Sequence, residues 1–216
     1  MKYFIFSIDD GTVFDKEIID IFHKHNVAAT FNLNSGLGDF VWYKEDHPIH
    51  RFPLSQIKEI YEGFDIASHS LTHPHLTMCP SEVIHHEVSN DIDNLSKIFK
   101  KEIKTFAFPF EDYDERTIEI IKNIENISLI RISKIHPGFA MDFDRYHISI
   151  TTWKLDEVDG LLDDFIKDDD AQIFIYVFHG YDYGLTNRYE ELEQLILKIK
   201  ANGITIIPFS DLDNLL

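Results

Sequence analysis

The chain has little of what several protein classes require. A single cysteine, Cys79, excludes an internal disulfide framework, a multi-cysteine zinc site and an iron–sulfur cluster, so any metal has to be held by histidine and carboxylate. Basic residues are scarce. Twenty Lys and Arg face 38 Asp and Glu, and the formal charge of −18 disfavours nucleic-acid backbones and anionic membrane surfaces, whose binding depends on basic side chains. No apolar run approaches the roughly 20 residues of a membrane span, and Asp9 and Asp10 interrupt the N-terminal apolar stretch before a signal-peptide core forms. A cytoplasmic protein with no membrane span is the expectation. No Pro-, Gly- or Ser-rich linker and no internal repeat is visible, which points to one domain over residues 1–216.

What is present is apolar surface and histidine. The hydrophobic content is 44%, with 18 Phe and 9 Tyr, and a globule of this size buries roughly 70% of its unfolded surface, enough to offset the entropy of ordering. Eight short runs read as strands: residues 3–8, 27–33, 64–67, 104–108, 128–132, 146–150, 172–178 and 204–208. Several are rich in Ile, Phe and Val without alternation, as buried parallel strands are. Between them, Ile84, Val88, Ile92, Leu95 and Phe99 recur at helical spacing, as do Leu192, Leu195, Ile196 and Ile199, with Gly203 as a helix stop. Weaker helices fit residues 15–25, 54–62, 114–124 and 156–167. Seven or eight βα units imply either a barrel or an open doubly wound sheet. Asp168-Asp169-Asp170 reads as a solvated turn, and residues 34–53 form the least regular stretch, a length of loop that often serves function.

Four constellations fall at predicted C-terminal strand ends, where α/β barrels keep their active sites. Ser7-Ile8-Asp9-Asp10-Gly11-Thr12 delivers two adjacent carboxylates into a Gly turn, which costs desolvation and repulsion unless a cation or proton compensates. A plain turn or cap explains the pair equally well. Ser68-His69-Ser70-Leu71-Thr72-His73-Pro74-His75 places two histidines four apart, facing the same way if the backbone makes one helical turn, as a divalent metal requires. A carboxylate from elsewhere would complete a His2Asp set with an open position for water. Thr105 to Asp114 runs a strand into a Pro turn, and His179 ends the run Ile175 to Phe178, where it is either a structural histidine or a general acid.

In this order, the four resemble the polysaccharide deacetylase family, the NodB-homology or carbohydrate esterase family four group. Ser7 to Gly11 is similar to the family's opening Thr-Phe-Asp-Asp-Gly, and His69-Ser70-Leu71-Thr72-His73-Pro74 matches its His-Ser-x-x-His-Pro motif intact. Val27 to Asn32 resembles its second strand, Phe106 to Phe110 a Phe-Ala-Tyr-Pro-Tyr variant of the third motif, and Val177-Phe178-His179 the late Leu-x-His. The resemblance implies a distorted (β/α) TIM-like barrel of seven or eight parallel strands. It also implies a divalent metal, normally Zn2+, held by Asp10, His69 and His73, with Asp9 as general base and His179 as general acid. The reaction implied is removal of acetyl groups from an N- or O-acetylated carbohydrate by metal-activated water, with a backbone N–H near Phe110 at the oxyanion.

Two departures stand out. The third-motif arginine that orients the base in the family is Ala107 here, with Glu111 in place of the glycine, and Arg131 on the next strand is the candidate substitute. The fourth-motif Asp before a Trp is also missing, because Thr151 and Thr152 precede Trp153, so the orienter of His179 is left open, with Asp182 nearby in sequence. These departures motivate a rival reading: a catalytically impaired barrel that binds metal or sugar. A haloacid dehalogenase phosphatase is excluded, because its nucleophile would fall on Ile8. Trp42 and Tyr43, with Phe40, are candidate substrate contacts in the long loop, since aromatic faces pack on sugar rings.

Overall fold

The computed structural model describes residues 1–216. Its elements in chain order are β1 (Tyr3–Asp9), α1 (Asp15–His25), β2 (Thr30–Leu33), β3 (Val41–Lys44), β4 (His47–His50), α2 (Leu54–Ile60), β5 (Asp65–Ser68), α3 (Ser81–Phe99), β6 (Thr105–Ala107), α4 (Glu115–Lys122), β7 (Leu129–Ile135), β8 (Ile148–Ile150), α5 (Val158–Lys167), β9 (Ile173–His179), α6 (Gly180–Gly184), α7 (Tyr189–Ala201) and β10 (Thr205–Ile206). Single 3-10 turns sit at Leu76–Met78 and Phe209–Asn214.

Eight of the ten strands are parallel and curl into the expected barrel. Strand β9 pairs with the full length of β1, while the other edge of β1 carries β10 at Tyr3 and Phe4 and β2 at Ser7 to Asp9. The path then runs β2, β5, β6, β7, β8. A bridge from Thr152 to Tyr176 brings the segment after β8 back to β9 and closes a ring of seven strands, with β10 against the foot of β1. The distortion is local: β5 and β6 share only the pair Ser68 and Phe106, and the β7 to β8 register shifts between Arg131 and Ile135.

The barrel strands β1, β2, β5, β6, β8 and β9 are buried on both faces along nearly their whole length, which explains the absence of apolar–polar alternation in their sequence. On β1, Phe4, Phe6 and Ile8 belong to the large core between sheet and helices, whereas Ile5 belongs to a second cluster with Leu129, Ile148, Ile173 and Ile175 inside the barrel. Phe209 and Leu212 of the C-terminal 3-10 turn join that inner cluster and plug the lower end. Further along the same inward-facing rows come Ser7 and Asp9 on β1, Arg131 on β7 and His179 on β9, so the barrel interior passes from apolar to ionisable toward the C-terminal strand ends.

The stretch 34–53 is irregular over residues 34–40 but not at its centre, residues 41–50. The centre folds into an antiparallel hairpin, β3 with β4, closed by a two-residue turn in which Glu45 takes φ 54°. Its few residues per strand and mixed polarity hid it from pattern reading. The short helix α6 carries no helical signal in its sequence, because Gly180 and Gly184 are poor helix formers. Asp114 does begin a helix, accepting the Thr117 N–H in a capping box, and Asp168 to Asp170 form an exposed turn as expected.

Candidate active site

Four strand ends supply the site. The backbone turns sharply after β1, with Asp10 at φ 81° and Gly11 at φ 68°, both in the left-handed region that glycine tolerates and aspartate adopts at a cost. That turn carries two buried carboxylates in different directions. Asp9 Oδ1 accepts from Asn32 Nδ2 (2.6 Å) and Oδ2 from the Arg131 guanidinium (2.8 Å). Asp10 Oδ1 accepts from Arg51 (2.9 Å), whose other terminal nitrogen donates to the Asp10 carbonyl and to Asn34 Oδ1.

His69 and His73 come together, but not through a helical turn. Ser70 (φ 66°) and His73 (φ 57°) are left-handed, and side chains replace the missing helical hydrogen bonds. Glu87 of α3 accepts from the Thr72 N–H and hydroxyl (both 2.7 Å), Ser70 Oγ accepts from the His73 N–H (3.1 Å), and Asn34 Nδ2 donates to the carbonyls of His69 and Ser70. The two rings end 4.9 Å apart. His69 Nδ1 donates to the Ala107 carbonyl (2.8 Å), which leaves Nε2 as the free lone pair.

Ligand atoms of Asp10, His69 and His73 lie within 4.8 Å of one another. The donor chemistry suits a divalent metal. Burial holds His69 well below, and His73 below, the usual histidine range, so both are neutral bases. Burial pushes Asp10 up, but the charges of Arg51 and His179 outweigh it and the carboxyl stays below its ordinary value, ionised. Two neutral imidazoles and one carboxylate form the catalytic type of set, with a position left over for water.

His179 lies on the opposite wall, its Nε2 3.9 Å from Asp10 Oδ2. The same Asp182 oxygen accepts from the His179 N–H (2.9 Å) and from Nδ1 (3.0 Å). Burial pulls His179 down, but the Asp182 hydrogen bond and the Asp10 charge reverse the shift and raise it. Asp182 falls to about 2 despite its own burial. Gly180 is required here because a Cβ would run into the Asp15 carboxylate at the start of α1.

Arg131 reaches Asp9 as the candidate substitute for the third-motif arginine. It is wholly buried, and its Nε finds no partner. An unsatisfied buried donor costs about 1–3 kcal/mol, which an apolar residue at this strand position would avoid.

A cavity of about 680 Å3 opens over these groups, a size typical of small-ligand sites. Phe40, Trp42, Phe110, Trp153 and Tyr181 line it with Ile150 and Val177. Phe110 (φ 59°) is packed between His73 and His75. Tyr43, expected as a substrate contact, is instead 70% exposed and does not line the cavity, because side chains alternate along β3 and the lining position is taken by Trp42.

Sequence reasoning missed Arg51, Asn32 and Asn34 and left Asp182 undecided. Arg51 sits in the stretch whose hairpin was not foreseen, and its approach to Asp10 depends on a bridge between Thr12 and Arg51 that nothing local encodes.

Comparison with known proteins bears on family and fold. A family model described as polysaccharide deacetylase matches residues 1–126. A chitooligosaccharide deacetylase from Rhizobium leguminosarum bv. trifolii is 35% identical over 74 residues, a match that spans 33% of this chain and only 28% of that protein. The fold matches the carbohydrate esterase family 4 domain of a multidomain xylanase from the Trinervitermes trinervoides hindgut metagenome (TM-score 0.67, 19% identity, 99% of this chain and 90% of that one). It equally matches a family 4 acetyl xylan esterase from Clostridium thermocellum in complex with cobalt (0.67, 16%, 99% and 91%) and a family 4 pseudoenzyme from Bacillus anthracis (0.67, 16%, 98% and 65%). No helix is long and apolar enough to cross a membrane.

Proposed function

Because the chain belongs to the polysaccharide deacetylase family, we propose that it is a metal-dependent hydrolase removing acetyl groups from an N- or O-acetylated carbohydrate. The observation that carries this reading is the convergence of Asp10, His69 and His73 beneath the cavity, with Asp9 and His179 on either side. Those three residues would hold the ion, normally zinc. Bound there, a divalent ion supplies Lewis acidity, lowering the pKa of water and polarising an acyl carbonyl.

The chain's own residues do the rest. Asp9 takes the proton of the attacking water. Asn32 and Arg131 hold one oxygen each and fix the orientation of the carboxylate. The backbone N–H near Phe110 faces the developing oxyanion. His179 gives its proton to the departing amine or alcohol, its Nε2 turned inward by the bond at Nδ1. The aromatic lining suits the apolar face of a sugar ring.

The impaired-barrel reading draws on the missing third-motif arginine and on the pseudoenzyme that shares the fold. Against it, Arg131 supplies at Asp9 the charge that Ala107 does not. Acetate release from N- and O-acetylated oligosaccharides, with added zinc and with chelator, separates the two. Turnover abolished by chelator supports the hydrolase, whereas metal content without acetate release across the panel supports the binder.

A further inference from the structure

The geometry assigns to Asp182, braced by Lys44 of the β3–β4 hairpin, the positioning of His179. This rests on the reading of His179 as proton donor and supplies what that reading lacks, since Thr151 and Thr152, not a carboxylate, immediately precede Trp153.

Asp182 stands on the first turn of α6, three residues beyond His179. One of its oxygens fixes His179 at two points, the backbone N–H and ring Nδ1. A carboxylate accepts and cannot donate, so Nδ1 carries the hydrogen and Nε2 is left facing the cavity. The other oxygen accepts from Lys44 Nζ (3.0 Å). Lys44 also lies over the Tyr181 ring (4.4 Å), and Tyr181 stacks on the His179 imidazole (4.7 Å, 13°). Trp42, on the same face of the hairpin, meets Tyr181 edge-on at 6.0 Å. The imidazole is thus fixed at its edge by Asp182 and across its face by Tyr181, and the hairpin holds both supports in place. Asp182 and Lys44 are positioning residues, because neither reaches the cavity lining.

The test uses a substrate pair that differs in its need for a proton. An N-acetylated chitooligosaccharide expels an amine, which must be protonated to leave. 4-Nitrophenyl acetate expels a weakly basic phenolate that needs no proton, so the same active site reports its integrity without the acid. Asp182→Ala is expected to lower kcat on the oligosaccharide about 10²-fold or more, the scale of a general-acid contribution, and kcat on the aryl ester by less than about threefold. Lys44→Met, a surface change, is expected to lower only the oligosaccharide rate, by about two- to fivefold. Equal losses on both substrates, or none on either, in both variants would overturn the assignment.

A second readout needs no turnover. Proton–nitrogen correlation spectra of histidine-labelled protein, with His179 assigned through His179→Gln, should place the hydrogen of the neutral ring on Nδ1 in the parent and redistribute it in Asp182→Ala. An unchanged tautomer in Asp182→Ala overturns the proposal even if the parent hydrolyses neither substrate, an outcome that counts instead against the hydrolase reading.

Discussion

The ion pair between Asp9 and Arg131 lends itself to a double-mutant cycle. Arg131 is wholly buried and Asp9 nearly so, and they meet at 2.8 Å inside the barrel. Asp9→Asn keeps an oxygen for Asn32 Nδ2 but turns an amide N–H2 toward the guanidinium, so a donor faces a donor and a buried charge loses its partner. Arg131→Met strands the carboxylate in the same way, leaving Asn32 Nδ2 as its remaining donor. Breaking one side of a buried pair costs about 3–5 kcal/mol. For a domain of this length each kcal/mol lowers Tm by about 2–4 °C, so each single variant should melt about 6–20 °C below the parent. Asp9→Asn/Arg131→Met removes both charges and should recover about 2 kcal/mol of the summed loss. Calorimetry or denaturant melts measure the four stabilities. In parallel, Asp9→Asn should lower kcat for acetate release about 10²- to 10⁴-fold, while both singles retain bound metal because neither touches Asp10, His69 or His73. Additive losses, or an Arg131→Met protein as stable as the parent, would refute the claim that the two side chains form one functional unit.

Three further outcomes follow from particular contacts. Asp91 is fully buried, accepts from the Ser35 N–H and the Ser68 hydroxyl (both 2.6 Å), and burial raises it from 3.8 to about 7. A raised carboxyl binds its proton more tightly when folded, so its contribution is complete below pH 3.8 and lost as pH rises through about 7; relative to Asp91→Asn, the parent should lose about 4 kcal/mol across that window in urea melts. Arg51→Met should destabilise the metal-free protein by about 3 kcal/mol through the stranded Asp10 charge, and the deficit in thermal melts should shrink when Zn2+ is added, because a bound cation supplies the missing positive charge; a deficit indifferent to zinc would separate Arg51 from the metal site. Gly180→Ala should cost about 1–3 kcal/mol in the same melts, since its Cβ would overlap the Asp15 carboxylate and sit 3.0 Å from the Asp15 nitrogen.

The parallel barrel was legible because buried strands and amphipathic helices repeat along the chain, and all eight expected strand positions hold barrel strands. Helix α1 even begins and ends where the apolar spacing places it. Of the site, the residues embedded in contiguous motifs were readable: Asp9, Asp10, His69 and His73 come at strand ends with fixed spacing. The supports were not. Arg51 and Asn32 act across 41 and 23 residues, and no local pattern distinguishes them from other polar residues, whereas Arg131, 122 residues from Asp9, is a candidate in the sequence only through the arginine missing from the third motif. The hairpin escaped for a different reason. Its strands bury only Ile49 fully, so the hydrophobic signal that reveals barrel strands is missing.

These long-range supports bear on how a departure from a motif is weighed. A motif residue matters through the charge or hydrogen bond that it delivers to a point in space, and a closed barrel converges several strand ends on that point. Ala107 on β6 and Arg131 on β7 are direct partners in the sheet register, so moving a guanidinium from one strand toward the next still leaves Asp9 within reach. The cost is visible in the unpartnered Nε of Arg131. Across the cavity, the late histidine has a carboxylate three residues downstream in place of one on the preceding strand, and α6 forms the turn that brings it back. Both sites of loss in the linear motifs are therefore sites where the fold presents the same chemical group from a different part of the chain. The Asp9–Arg131 pair is buried, the Asp182 contact with His179 is partly so, and neither adds to the apolar core, so what each contributes is the placement of one ionisable group at the cavity.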